Sequence, residues 1–360
     1  MDFVSSMAPP SDVLFPDSFR AGVNLWQARV SQLQGSVVQK NYSYPIGDED
    51  GEELITQSVV IGDPNATNFV VIISATHGVE GFAGTAVQCD LLHLLNTGHI
   101  TPCSDTAILL INALNPWGFH FLHRHDHLGV DVNRNFIDFG KPLPDNSGYS
   151  QLQSLLAITD PADREQALTK FKYQIGQRNY EIAASGGQYV DNCGPFYGGN
   201  AESHSRRVIE SLIERYQLAS KRLAVIDIHT GLGPYGYGEV ICDHPGNSAG
   251  SDVAQQWYGP SCTSAEAGTS SSVPKSGLLD YAWHEIMDTK SCFITLEFGT
   301  LGTESLFRVL QADRYSPDQP TAFGNSEMCN HFNPQDNYWR EAVLFRGRQV
   351  ILQALAGVTR

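Results

Sequence analysis

Residues 69–81 read FVVIISATHGVEG, and this stretch decides the fold class. Its first seven residues form an almost entirely apolar run, which is typical of a strand buried on both faces. Similar runs follow along the chain, and helical patterns lie between them. The runs span residues 107–112, 223–228 and 291–296, and the helical patterns span residues 84–95 and 206–220. Buried strands that alternate with helices predict an α/β/α sandwich around a mixed, mostly parallel central sheet.

The rest of the chain fits one domain around this sheet. Helical patterns also span residues 19–34 and 340–355, and residues 59–62 form a short strand candidate. Residues 140–200 are less regular, because prolines, a polar helical stretch and a Gly-rich end follow one another there. We therefore predict a single domain over residues 1–360, with residues 140–200 as an insertion within it.

Composition argues against several classes of partner. The formal net charge of -16 opposes binding to nucleic acids and to anionic membranes.

The 7 cysteines include no C-x-x-C pair, which favours reduced thiols over a disulfide framework. The first twenty residues lack the basic and apolar segments of a signal peptide, and no apolar run is long enough to span a bilayer. We expect a soluble, cytoplasmic protein.

Side chains that carry chemistry stand at the ends of three buried runs. The first run is followed by His77 and Glu80, the third by His229, and the fourth by Glu297. In open α/β sheets, ligands bind at the carboxyl ends of the strands. We therefore expect these four side chains to converge at one edge of the sheet.

This set of side chains suits a catalytic zinc ion. Such an ion takes three nitrogen or oxygen ligands and keeps one position open for water. His77, Glu80 and His229 supply those ligands, and Glu297 is the candidate base that takes a proton from the water. None of the other 11 histidines has a glutamate three positions later. Because H-x-x-E is a weak motif by itself, the prediction depends on the convergence of the three segments.

Two further motifs make the pattern specific. They are N-P-W-G-F at residues 115–119 and V-D-V-N-R-N-F at residues 130–136. With the motifs at the strand ends, this order resembles the zinc carboxypeptidases (carboxypeptidase A-like metallopeptidases), to which aspartoacylase and succinylglutamate desuccinylase form a related deacylase branch. The stretches H-G-V-E-G at 77–81, G-Q-Y at 187–189 and F-Y-G-G at 196–199 are similar to the branch called domain of unknown function 2817. The resemblance covers roughly residues 69–300.

The resemblance implies a role for each matching position. His77, Glu80 and His229 match the zinc ligands of the family, and Glu297 matches its general base. Asp131 matches a carboxylate that orients a metal-binding histidine.

Asn133 and Arg134 match the pair that holds the terminal carboxylate of the substrate, which a guanidinium binds with two hydrogen bonds. Arg124 lies where the family has an arginine that stabilises the oxyanion, and the alternative is a solvent-facing arginine in a histidine-rich loop. Asp227 lies two positions before His229 on the same strand face. It either orients His229 or is an ordinary buried, hydrogen-bonded aspartate.

One departure from the family concerns a mobile tyrosine upstream of the catalytic glutamate. Ser272 falls near that place, with Lys275 and Tyr281 in the neighbourhood, and no tyrosine matches cleanly. This departure favours a small acyl-amino-acid substrate over a peptide. In the same register, Leu279 would line the pocket for the substrate side chain.

Three other patterns support different interpretations. Residues 231–236 read GLGPYG, but Pro234 and an apolar stretch follow where a dinucleotide site needs a helix. Residues 246–250 read GNSAG, so a serine esterase that uses Ser248 is the rival enzyme, although three residues separate this motif from the preceding strand. His123, His125 and His127 alternate and would share one face of an extended segment, where they could bind a second metal ion. We interpret them as a polar loop beside the active site.

We therefore predict a zinc-dependent hydrolase that cleaves an amide or peptide bond next to a free carboxylate, with one Zn²⁺ per chain. The partner is a small molecule or short peptide with a free carboxylate, and a homo-oligomer is compatible with the sequence. The non-enzymatic alternative is an inactive carboxylate-binding protein with the same fold.

Overall fold

The structure, a computed structural model, describes residues 9–315 and 326–360. Seven strands form one sheet in this part of the chain. They are β1 (Val37–Ser43), β2 (Ile55–Ile61), β3 (Asn68–Ile73), β4 (Thr106–Asn112), β5 (Arg222–Thr230), β6 (Gly238–Ile241) and β7 (Cys292–Phe298). Their order across the sheet is β1-β2-β4-β3-β5-β7-β6. The four buried runs that the sequence predicted are β3, β4, β5 and β7.

The sheet is mixed, as predicted, and its parallel part lies at the centre. β4, β3, β5 and β7 run parallel to one another. The three outer pairs, β1 with β2, β2 with β4 and β6 with β7, are antiparallel. The carboxyl ends of the four central strands therefore meet at one edge. In the parallel pair of β5 and β7, His229 lies directly opposite Glu297.

Helices cover both faces of the sheet. The described helices are α1 (Ser11–Leu14), α2 (Phe19–Val30), α3 (Gly81–Asn96), α4 (Pro116–Phe121), α5 (Ser147–Leu156), α6 (Pro161–Ile175), α7 (Gln177–Ser185), α8 (His204–Arg215), α9 (Ala249–Tyr258), α10 (Asp280–His284), α11 (Thr303–Tyr315), α12 (Ser326–Phe332) and α13 (Asn337–Gly357). One face packs against α2, α3, α9 and α13, and the other against α8 and α10. None of these helices has both the length and the apolar character needed to cross a lipid bilayer.

The central strand β3 shows why the apolar runs are continuous. Val70 and Ile72 belong to the core on one face, and Val71 and Ile73 belong to the core on the other. All four side chains are fully buried. Because side chains alternate across a strand, a strand with helices on both faces needs apolar residues at every position.

Residues 140–200 form a helical segment beside the carboxyl ends of the strands. It contains α5, α6 and α7, and then a turn in which Gln188 pairs with Tyr197. Asp160 caps α6 by accepting hydrogen bonds from the backbone of Ala162 and Asp163, and Pro161 occupies the first helical position. This segment supplies part of the wall of the site described below.

A close backbone approach fixes the turn after β3. A Cβ atom on Gly78 would lie 2.0 Å from the carbonyl carbon of Gly118 and 2.2 Å from the nitrogen of Phe119. The backbone N–H of Val79 donates to the oxygen of His123 at 3.0 Å, so this approach also holds the loop after α4. Only glycine fits at position 78 without moving that loop.

We expect Gly78→Ala to lower the free energy of unfolding by about 1–3 kcal/mol or more. This is the usual cost of overpacking, and the new methyl group would overlap the backbone of Gly118 and Phe119. Chemical denaturation of both proteins measures the change. Gly246→Ala is the matched control, since its Cβ would have no neighbour within 4 Å. Equal stability of the two variants would contradict the packing described for Gly78.

Candidate metal centre

The carboxyl ends of β3 and β5 bring His77, Glu80 and His229 together. His77 precedes a turn of 3-10 helix at Gly78–Glu80, and His229 is the penultimate residue of β5. Nδ1 of His77 lies 2.8 Å from Oε1 of Glu80, and Nδ1 of His229 lies 3.1 Å from Oε2 of the same carboxylate. The two Nδ1 atoms are 3.1 Å apart. The three side chains that the sequence proposed as ligands thus meet at one buried point.

The far side of each imidazole ring faces a carboxylate. Nε2 of His77 lies 3.3 Å from Oδ1 of Asp131, and Nε2 of His229 lies 2.6 Å from Oδ2 of Asp227. When the Nε2–H group of His229 donates to Asp227, its Nδ1 atom presents a lone pair toward Glu80. Nε2 of His77 lies between Asp131 and a guanidinium group that is 2.6 Å away. Two imidazole nitrogens and one carboxylate are the donor set of a catalytic zinc site, and an outer carboxylate such as Asp227 holds its histidine ring in place.

The local electrostatics also favour a cation at this point. Burial alone would raise the pKa of Glu80, but His77 and His229 hold it below its usual value. Burial alone would lower the pKa of His229, but Asp227 and Glu80 raise it well above its usual value. The site therefore attracts positive charge between its side chains, and a divalent cation there would supply it. The residues present fit a zinc ion.

Glu297 stands beside this point on β7. Its Oε1 atom accepts a hydrogen bond from the backbone N–H of Leu232 at 3.0 Å. Burial and the neighbouring charge of Glu80 raise the pKa of Glu297 to about 7. A carboxylate with a pKa near neutrality can both accept and return a proton, which is what a general acid–base group requires.

Arg124 and Arg134 both contact the carboxylate of Asp131, and Nε of Arg124 also lies 4.0 Å from Oε1 of Glu80. A hydrogen-bonded ion pair joins Nη1 of Arg124 to Asp131, and Nη1 of Arg134 lies 3.9 Å from Oδ2 of Asp131. Burial opposes ionisation of Asp131, yet the two guanidinium groups hold its pKa well below its usual value. Nη2 of Arg124 also lies 2.6 Å from Nε2 of His77. Arg124 is therefore buried at the site and does not face solvent.

Arg134 is fully buried, and backbone carbonyl groups hold its guanidinium group. Its Nη groups donate to the carbonyl oxygens of Asn133 at 2.6 Å and of Ser185 at 2.7 Å, and Nε has no partner among the described residues. Burial lowers the pKa of Arg134 to about 10, so the guanidinium stays charged. The ring of Phe196 lies 5.3 Å from its guanidinium carbon. Within 4 Å, the only carboxylate that Arg134 meets among the described residues is Asp131, which Arg124 also contacts.

The neighbouring Asn133 is held by backbone. Its Oδ1 atom accepts from the N–H of Leu279 at 2.8 Å, which leaves its NH₂ group as the end that can donate toward substrate. The expectation that Leu279 lines the side-chain pocket needs correction. Leu279 is the N-cap residue of α10. Its fully buried side chain belongs to the core between the sheet and helices α8 and α10. Leu278, one position earlier, lines the cavity instead.

These groups open onto one cavity. Helix α7 contributes Glu181 and Ser185 to its wall, and α11 contributes Leu306 and Phe307. The residues predicted for chemistry that line it are His77, Glu80, Arg124, Asn133, Arg134, Asp227, His229 and Glu297.

Lys275 is a cavity residue whose importance the sequence did not reveal. Its ammonium group donates to Ser272 Oγ and, at 3.1 Å, to the carbonyl oxygen of Val273. Burial, followed by the charge of Arg134, lowers the pKa of Lys275 to about 8. Ser272 also lines the cavity, whereas Tyr281 points away and bonds the backbone of Lys275. A lysine in an irregular loop carries no pattern that predicts its burial.

The structure gives the rival motifs structural roles. Ser248 is the N-cap of α9, where its Oγ atom accepts from the N–H of Ser251, and it does not line the cavity. The glycines at 231–236 join β5 directly to β6, so no helix follows them. The geometry therefore supports neither a serine nucleophile at Ser248 nor a dinucleotide site.

The sequence matches the family described as protein of unknown function (DUF2817) over residues 28–346. The chain belongs to the DUF2817 family. This match confirms the resemblance seen in the motifs and extends it beyond residues 69–300. Among curated proteins, no sequence match to this DUF2817 protein is significant.

Solved structures show that the DUF2817 chain has a zinc carboxypeptidase-like fold. It is similar to carboxypeptidase A from Helicoverpa armigera with a TM-score of 0.55 and 13% identity, over 97% of this chain and 76% of that one. It is also similar to bovine thrombin-activatable fibrinolysis inhibitor, solved with tick carboxypeptidase inhibitor, with a TM-score of 0.51 and 10% identity. That alignment covers 96% of this chain and 97% of the other. The predicted fold class is confirmed.

We expect Asp227→Asn to weaken zinc binding about 10–100-fold, because the carboxylate that holds the His229 ring loses its charge. Competition with a chromophoric chelator measures the affinity of both proteins. Asp252→Asn, at an exposed position in α9, is the control and should bind zinc as the unmodified chain does. Unchanged affinity in the Asp227 variant would remove the orienting role of this carboxylate.

Proposed function

We propose that this protein is a zinc-dependent hydrolase that cleaves an amide bond next to a free carboxylate. The observation that carries the proposal is the meeting of His77, Glu80 and His229 at one buried point, with Glu297 beside them on the next strand. The substrate class is an N-acyl amino acid or a short peptide with a free C-terminus. The site takes one zinc ion per chain.

The metal and the base have separate tasks. Zinc held by His77, Glu80 and His229 would lower the pKa of a water molecule at the site and polarise the substrate carbonyl. Glu297 accepts the proton of the attacking water and passes it to the leaving amine. Its hydrogen bond from Leu232 N–H keeps one carboxylate oxygen in place and leaves the other to move the proton.

The arginines act on the charges of the substrate. Arg124 presents its guanidinium group at the cavity between His77 and Asp131, where it can stabilise the negative charge that develops on the carbonyl oxygen. Arg134 and the NH₂ group of Asn133 bind the free carboxylate. The substrate carboxylate balances the charge of Arg134, because Asp131 also contacts Arg124. Its position at Arg134 fixes which amide bond reaches Glu297.

Two cations of the cavity, Arg134 and Lys275, have no carboxylate of their own nearby in the described part of the chain, and this favours a substrate with a negative group. Arg134 shares its carboxylate with Arg124, and the buried ammonium of Lys275 has no carboxylate within 4 Å in the described part of the chain. Burying charge without a partner is costly, so binding an anion relieves that cost. This local charge coexists with the acidic net charge of the whole molecule.

We expect the purified protein to contain about one tightly held zinc ion at this centre, and Glu297→Gln to reduce kcat by about 10²–10⁴-fold while the zinc remains. The loss follows because the amide cannot take the proton of water. N-acyl amino acids and short peptides supply the assay, and elemental analysis gives the zinc content. Glu285→Gln, at an exposed position, is the control. A Glu297 variant with full activity would rule out the assigned base, and wild-type protein that neither binds zinc nor cleaves these substrates would rule out the function.

Arg134→Lys should raise KM and lower kcat/KM by about 10²-fold or more for substrates with a free carboxylate, because a single ammonium cannot reproduce the planar guanidinium. The same substrates with an amidated carboxylate should be poor for both proteins and should not separate them. Thermal unfolding of the variant shows whether the buried position tolerates lysine. If amidation leaves the wild-type rate unchanged, the carboxylate is not what Arg134 binds.

A further inference from the structure

A second group of metal-binding side chains lies outside the cavity, on the loop that carries Arg124. Nδ1 of His123 lies 2.6 Å from Oδ1 of Asp313, and Nε2 of His125 lies 3.3 Å from Oδ2 of the same carboxylate. The candidate ligand atoms of the three residues all lie within 4.8 Å of one another. One carboxylate thus faces a ring nitrogen from each of two histidines.

A hydrogen bond to the backbone shows which ring nitrogen of His125 carries a proton. Its Nδ1 atom lies 2.8 Å from the carbonyl oxygen of Asp126. A carbonyl oxygen only accepts, so Nδ1 carries a proton in that bond. In the neutral ring, Nε2 then presents a lone pair to the carboxylate of Asp313. Either a proton or a metal cation can occupy the space between Nε2 of His125 and Oδ2 of Asp313.

The surroundings hold these side chains in place. The ring of His123 stacks on Trp117 at a centroid distance of 5.2 Å and an angle of 11°, and on His125 at 4.9 Å. The Asp313 side chain is only 2% exposed, whereas those of His123 and His125 are 20% and 15% exposed. Although burial opposes it, the two histidines keep the pKa of Asp313 low, so it stays an anion. An ion from solvent can therefore reach a carboxylate that is already in position.

We propose that His123, His125 and Asp313 form a second metal site, which takes a borderline divalent cation such as Zn²⁺. Two imidazoles and one carboxylate are a recognised ligand set for such ions, and a water molecule can complete the tetrahedron. The site joins α11 to the loop after α4, and Arg124 lies between its two histidines in sequence. The inference does not depend on the proposed hydrolase activity.

The sequence pattern had included a third histidine that the structure separates from the site. His127 bonds the hydroxyl of Tyr44 at 2.7 Å through Nδ1. The alternation of His123, His125 and His127 implied one extended face, but the loop turns at Asp126, whose carboxylate accepts from the backbone of Leu128 and Val130. Asp313, from a distant helix, takes the place of the third histidine.

A further cluster, formed by Asp48, Glu49 and His120, does not support the same inference. Asp48 is paired with Arg20, and the Glu49 side chain that meets His120 is 50% exposed. This cluster provides a matched control, because His120 belongs to the same stretch of chain as His123 and contacts Glu49 instead of Asp313.

Calorimetric titration of the metal-free protein with Zn²⁺ tests the proposal. We expect two binding events per chain in the wild type and in His120→Ala. His123→Ala and Asp313→Asn should each lose one event or weaken it by more than about 100-fold, a larger loss than removal of an outer carboxylate causes. The double variant His77→Ala/His229→Ala should lose the other event. Asp313→Asn preserves the shape of the side chain, and circular dichroism shows that each variant is folded.

The outcomes separate the two sites. If wild type binds one zinc ion, and His123→Ala and Asp313→Asn bind it with the same affinity, the second site does not exist. A second event that appears only at millimolar Zn²⁺, and is unchanged in Asp313→Asn, also overturns it. If instead the double variant keeps one event and the wild type binds only that one, the second site stands and the proposed catalytic centre fails.

Discussion

The carboxylate of Asp131 is the contact on which the site depends. It lies against His77, Arg124 and Arg134, three groups with different proposed tasks. Its own backbone N–H donates to the carbonyl oxygen of Tyr197 at 2.7 Å, so the position of the carboxylate is set by a loop that the metal does not touch. Without it, two buried guanidinium groups would lack a counter-charge, which is among the most costly situations in a protein interior.

This arrangement joins the candidate metal centre to the two arginines of the cavity wall. A shift of Asp131 would move the His77 ring and both guanidinium groups together, because one carboxylate contacts all three. The pair of strands β5 and β7 provides a second link, since their register places His229 opposite Glu297. The candidate metal centre, Glu297 and the two arginines are thus held relative to one another by a few contacts that span the strand ends.

The sequence predicted what depends on local pattern, and it missed what depends on distant contacts. The buried runs identified the four central strands, and their ends predicted the three side chains that meet at the candidate metal centre, with Glu297 beside them. The edge strand β1 went unnoticed, because its side chains are half-buried or exposed and form no apolar run. Leu279 was assigned to the wrong environment, since one position along the chain decides whether a side chain enters the cavity or the core.

Distance along the chain explains the other omissions. Asp313 lies 190 residues from His123, so no local spacing could pair them. Lys275 belongs to a loop without periodicity, and its burial arises from elements far away in sequence. His127 shows the limit of an alternating pattern, because the loop turns at Asp126 and the three histidines do not share one extended face. Patterns of two or three residues are reliable only within regular secondary structure.

The register of β5 has a consequence for how this family can vary. Asp227 and His229 point to one face of the strand, and the next residue, Thr230, donates its backbone N–H to Glu80 at 3.0 Å. A one-residue insertion or deletion inside β5 would turn both side chains to the opposite face and remove that bond. Length changes are therefore tolerable in the connections before Arg222 or after Gly231, but not between them. The helical segment at residues 140–200 shows how much chain such a connection can accommodate.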